Sequence, residues 1–106
     1  MAHTYKNSKV DLTATSVTTV YTVPTAATSI VKSILVSDDS GSGDTITLTI
    51  TNGSDVFSLF KTKTITANGT SELLAAPLVL TAGEILKATA ATADRLHIVC
   101  SYLEIT

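Results

Sequence analysis

The feature that most constrains this chain is a strict two-residue alternation. In residues 45–51, Thr45, Thr47, Thr49 and Thr51 interleave with Ile46, Leu48 and Ile50. Successive side chains of a β-strand point to opposite faces, so this spacing puts three aliphatic residues on one side and four threonines on the other. A helix would spread the same residues around its circumference. Threonine suits the wet face of such a strand because its branched Cβ fits a pleated surface. Asn52-Gly53 follows at once and is a hairpin signal, so residues 56–65 read as the return strand.

The same logic extends along the chain. Residues 18–23 read as a strand stopped by Pro24, which has no N–H to give to a ladder. Residues 29–37 form a second long run, closed by a polar loop over residues 38–44. Asn68-Gly69 and Thr81-Ala82-Gly83 are turns, and residues 84–89 and 96–105 are further strands. Residues 73–76 are expected to allow one helical turn. Residues 88–93 fit neither class cleanly, since alanine is a poor strand residue. The expectation is an all-β fold, a single β-sandwich or jelly roll of about seven to eight mostly antiparallel strands. With 106 residues the chain holds one such domain. Residues 1–9 are polar and read as an N-terminal arm, and residues 10–106 as the β domain, with Val10 and Leu12 opening the first strand.

Composition excludes several classes. Lys and Arg number 7 against 9 Asp and Glu, and the charged fraction is 15%, whereas soluble domains carry roughly 25%. With scattered lysines and a pI near 5.5, no basic patch exists for phosphate-driven nucleic-acid binding. Twenty threonines and abundant β-branched aliphatics argue against disorder. The longest near-apolar run, residues 73–80, is too short to span a bilayer, so no membrane partner is expected. The N-terminal Met1-Ala2-His3-Thr4-Tyr5-Lys6 lacks the apolar core of a signal peptide, and the chain is expected to remain where it is made.

Two strands carry more apolar surface than a sandwich needs. In Ile30-Val31-Lys32-Ser33-Ile34-Leu35-Val36 apolar residues fall on both faces. In residues 96–103, Val99 and Leu103 oppose Leu96, Ile98, Cys100 and Tyr102. Each strand of a two-layer sandwich buries only one face. Val31, Leu35, Val99 and Leu103 are therefore expected at an interface with another subunit.

Residues that carry chemistry are few and scattered. Asp38, Asp39 and Asp44 surround a Gly-Ser-Gly loop, but their spacing is not that of a helix-flanked calcium loop, and a solvated hairpin loop is the expectation. His3 and His97 have no His, Cys or Glu at metal-ligand spacing. Cys100, the single cysteine, has no disulfide partner. It stands three residues from His97, which on a strand sends the two to opposite faces, so they form no catalytic dyad. Glu72, Glu84 and Glu104 are the other plausible carboxylates for acid–base work, and nothing in the sequence pairs them. No catalytic residue, metal site or cofactor is expected. Lys61 and Lys63 read as protection of a sheet edge rather than a ligand strip, and the sequons at Asn52 and Asn68 as turns.

Val20-Tyr21-Thr22-Val23-Pro24, followed by Ser29-Ile30-Val31-Lys32-Ser33-Ile34-Leu35-Val36-Ser37, resembles small virion structural proteins of tailed bacteriophages, in which such a strand end leads through a short turn into such a strand. Leu80-Thr81-Ala82-Gly83-Glu84-Ile85-Leu86 and Ile98-Val99-Cys100-Ser101-Tyr102-Leu103-Glu104-Ile105 resemble further segments of the same proteins. The likeness covers most of residues 17–105. It implies a β-sandwich or jelly roll, no enzymatic activity, no cofactor, and a homo-oligomer whose partner is the major capsid protein or another virion protein. Head-decoration, neck, tail-collar and fibre-base proteins share such segments. The expectation is a head-decoration (cement) protein in the virion, assembled as a trimer, with a neck, collar, tail or fibre-base component as the alternative. A carbohydrate-binding attachment module is the further alternative, weakened by the scarcity of aromatic residues.

Overall fold

The computed structural model describes residues 2–106. Among these residues nine strands make two sheets. They are β1 (His3–Asp11), β2 (Thr18–Thr22), β3 (Thr28–Asp38), β4 (Asp44–Asn52), β5 (Asp55–Ile65), β6 (Thr70–Glu72), β7 (Leu78–Leu80), β8 (Ile85–Ala90) and β9 (Leu96–Ile105). One sheet runs β1-β9-β3-β6, with β7 also pairing β3; the other runs β2-β8-β4-β5. Every pairing is antiparallel. The all-β sandwich expected from the alternation is the fold observed.

The inward residues are those the two-residue period assigns. Ile46, Leu48 and Ile50 of β4 meet Val31, Ile34 and Val36 of β3 and Leu96, Ile98, Cys100 and Tyr102 of β9 in one core, with Leu86, Ala88 and Ala90 of β8. Ala88 and Ala90 lie in a strand despite their propensity because Leu48 and Ile46 sit directly opposite and supply the cross-strand packing. The β4–β5 hairpin closes from Asn52 to Asp55, with Gly53 at φ +62° in a conformation that costs glycine nothing.

Three expectations are corrected. First, residues 3–9 are not an arm apart from the domain but most of β1, which pairs with β9 over nine residues from His3↔Ile105 to Asp11↔His97; Met1 lies outside the described residues. A polar segment forms this strand because the ladder to β9 satisfies its backbone, and because Val10 and Lys6 find partners on the inner side. The start of the domain at residue 10 therefore matches no structural boundary. Second, residues 73–76 form no helical turn. Pro77 disfavours helical geometry before it, and the Glu72 carboxylate and Ile34 carbonyl take the N–H groups of Leu74 and Leu73.

Third, β3 carries a bulge between Val31 and Ser33. The extra residue flips the parity, so Val31 is fully buried and Ile30 takes the outer face in its place. The about seven to eight strands expected become nine among the described residues because β6 and β7 are two three-residue segments that share one edge of β3. Too short to show a period, they interrupt each other beside the bulge. Lys61 and Lys63 are exposed on β5, the edge of its sheet. Thr62 bulges there at φ +50° and donates its N–H to Thr47 Oγ1, a disposition that discourages edge-to-edge pairing.

Candidate functional site

Of the carboxylates singled out in the sequence, all but Asp39 hold turns or sheets. Asp38 ends β3 pointing inward. Its Oδ1 accepts Ser40 N–H (3.0 Å) and Ser40 Oγ–H (2.6 Å), and its Oδ2 accepts the N–H groups of Gly43 (2.8 Å) and Asn68 (3.1 Å). The Ser40 hydroxyl and then these N–H groups hold its pKa below the ordinary carboxylate range against the effect of burial. Asp39 turns toward His97, and Asp44 Oδ2 accepts Thr92 N–H at 2.8 Å. The three aspartates thus diverge, and the loop is a backbone-capping device. Among the described residues no cluster of three or more His, Cys, Asp or Glu is placed to hold a metal ion.

Glu72 accepts from Ser33 Oγ, Ile34 N (2.8 Å) and Leu74 N (3.2 Å), bridging the bulge of β3 to the gap between β6 and β7. Burial pushes this carboxyl up, but the donors outweigh it and its pKa is lowered. Glu84 closes its turn by accepting Thr81 N–H (2.6 Å) and Thr81 Oγ–H (2.9 Å). Glu104 is buried near the end of β9, where the alternation aims it inward. Lys6 of β1 donates to its Oε1 and Tyr21 of β2 to its Oε2, each at 2.9 Å, and the Tyr21 hydroxyl lies 2.5 Å from Ser29 Oγ. Tyr21 also stacks on Tyr102, ring centroids 4.0 Å apart. Lys6 first, then Tyr21, lowers the pKa of Glu104, and burial chiefly raises that of Tyr21. This network ties the two sheets together.

Cys100 faces the core, with its thiol pushed up to about 11 by burial and then by the Glu72 charge, and it is inert as a nucleophile at neutral pH. His97 lies on the opposite, outer side, its Nε2 3.2 Å from Asp11 and its Nδ1 3.6 Å from Asp39. This cluster escaped the sequence reading because only the β1–β9 register brings Asp11 opposite His97. The hollow between the β3–β4 loop and residues 64–67 holds Arg95, whose guanidinium donates to the Gly43 carbonyl (3.0 Å).

What remains is surface, and the two outer faces differ in kind. That of β2-β8-β4-β5 displays threonines from β4, including Thr47 and Thr49 opposite Thr89 and Lys87. That of β1-β9-β3-β6 carries an apolar row that crosses β1, β9 and β3 and ends on β7, which shares the edge of β3 with β6. Tyr5 pairs with Leu103, Leu103 with Ile30, and Ile30 with Val79. Tyr5 is 76% and Val79 57% exposed. Two rows along, Lys9 pairs with Val99, Val99 with Leu35, and Leu35 with Glu72. Leu35, Val99 and Leu103 stand on this outer face as the sequence expected, and Val31 does not.

No family model matches the chain, and no curated protein matches it. Among solved structures it is similar over its full length to a chain of the acid-stable capsid of the Helicobacter pylori bacteriophage KHP30, with a TM-score of 0.59 and 9% identity over 94% of that chain. Two structures of a pentameric capsid protein isolated from metagenomic phage sequences match 92% of the chain at 20% identity and a TM-score of 0.45. The chain spans 59% and 66% of their lengths. At such identities the likeness to the KHP30 chain is one of fold.

Proposed function

We propose that this chain is a non-enzymatic structural protein of a phage virion, and that it acts as a head-decoration protein, binding the major capsid protein as a small homo-oligomer. The observation that carries the reading is the apolar row on the outer face of β1-β9-β3-β6, a surface that a two-layer sandwich has no internal use for. The likeness in fold to a chain of a phage capsid and the resemblance of residues 17–105 to tailed-phage virion proteins support it. The mechanism is mass action. A protein that binds only the assembled lattice lowers the free energy of that lattice and not of its dissociated subunits, so the shell survives harsher conditions. The carboxylates that catalysis would draw on are committed to turns, to the sheet-to-sheet network and to the His97 cluster, which supports a structural role.

Quantitative mass spectrometry of purified particles from the source phage tests this. A copy number comparable to that of the major capsid protein is the expected result. A number comparable to the portal moves the protein to the neck, collar or tail, and absence from particles refutes the virion reading.

A further inference from the structure

From the register of the outer face of β1-β9-β3-β6, we infer that this face is a twofold, face-to-face contact with a second copy of the same chain, the twofold axis lying in the contact plane along the strands. This contact does not rest on the virion reading; within that reading it assigns the apolar row to the homo-oligomer and leaves the capsid contact to other surfaces of the chain. A rotation about that axis leaves each cross-strand row in place and exchanges its two ends. The Tyr5 end of the first row then lies over the Val79 end of its copy, and Leu103 lies over Ile30, so the apolar row meets itself. In the other row Lys9 lies over Glu72 of the copy, twice by symmetry, with Val99 over Leu35 between them. Opposite charges meet at both rims of that row. Between it and the apolar row lie Asn7, Ser101 and Ser33, with Lys32 exposed at the bulge. Ser101 lies over Ser33 of the copy, so the centre of the contact mixes aliphatic and polar side chains.

The other in-plane twofold, across the strands, exchanges the two rows. It sets Glu72 against Val79 and Lys9 against Tyr5, leaving the carboxylate over an apolar partner. Charge therefore selects the axis along the strands. The sheet angle agrees, since twisted sheets packed face to face keep their strands within about 30° of each other. Size agrees as well. Ten residues of β9 at about 3.3 Å each and four strands at about 4.8 Å give a face of about 600 Å², against about 800 Å² per partner in a standard interface. A self-complementary patch closes on itself as a dimer, in place of the trimer expected for a head-decoration protein.

Sedimentation velocity of the full chain is expected to give a species of about 22 kDa, twice the 11.0 kDa protomer. Leu103→Lys puts two buried charges at the centre of the contact and is expected to weaken the dimer by about a hundredfold or more. Circular dichroism and the melting temperature of the monomer check that its fold is retained. In an equal mixture of ¹⁴N- and ¹⁵N-labelled chains, zero-length carbodiimide coupling is expected to join Lys9 of one isotope to Glu72 of the other. A monomer at 100 µM, a trimer, or a dimer that ignores Leu103→Lys and couples Lys9 elsewhere would overturn the inference. A monomer found on particles at capsid-like copy number removes the twofold and leaves the decoration reading standing; a dimer absent from particles does the reverse.

Discussion

Tyr21→Phe tests the account of the buried network directly. The substitution keeps the ring stacked on Tyr102 and removes one hydroxyl, the donor to Glu104 Oε2 at 2.9 Å and the neighbour of Ser29 Oγ at 2.5 Å. A hydrogen bond to a charged group is worth about 1.5–3 kcal/mol, and leaving a buried acceptor unpaired adds its desolvation. Lys6 still holds the other carboxylate oxygen, so the expected loss is about 2 kcal/mol. Unfolding entropy of about 2.1 cal/mol/K per residue over 106 residues converts this to a fall in Tm of about 9 °C. Calorimetry at fixed protein concentration measures it, and a double-mutant cycle with Glu104→Gln isolates the charged part, expected at about 1 kcal/mol of coupling. The pH dependence has a defined sign. Glu104 titrates below its ordinary value in the folded state, partly because of Tyr21. The stabilisation is therefore full above the ordinary carboxylate pKa and is lost as pH falls through the folded pKa. The penalty of Tyr21→Phe should shrink between pH 7 and pH 3. A loss under about 0.5 kcal/mol at pH 7, or no coupling to Glu104→Gln, would refute the reasoning.

Acid should destabilise the wild-type domain progressively below about pH 4. Asp38, Glu72 and Glu104 are all held below their ordinary values in the folded state; a stability profile by urea denaturation that stays flat from pH 6 to pH 2.5 would contradict this. Glycine substitutions should separate strain from clash. Gly43→Ala places a Cβ 3.0 Å from the Ile65 carbonyl oxygen at φ +73°, whereas at Gly53, φ +62°, nothing lies within 4 Å. Gly53→Ala is expected to cost about 1 kcal/mol, the left-handed penalty alone, and Gly43→Ala clearly more; equal melting temperatures for the two would refute the close approach at Gly43.

The alternation of residues 45–51 was enough to determine strand β4, its inner face and the class of the fold, because side-chain direction in a strand follows from covalent geometry alone. The hairpin at Gly53 and the full extent of β9 were legible for the same reason. Local signals also placed Leu35, Val99 and Leu103 on an outer face. Pairing is not local, and there the sequence ran out. A polar segment such as residues 3–9 becomes a strand only because β9 presents an edge to it. The bulge that turns Val31 inward exists only where β6 and β7 break their pairing to β3, so parity counted along the chain failed at that residue. Asp11 meets His97, Lys6 and Tyr21 meet Glu104, and Tyr5 joins Leu103, Ile30 and Val79 through registers between strands far apart in the chain. The periodicity determined which side each residue of a regular strand faces. Only the tertiary structure decided which residues share that side, because strand order and register minimise the free energy of the whole sandwich rather than of any one segment.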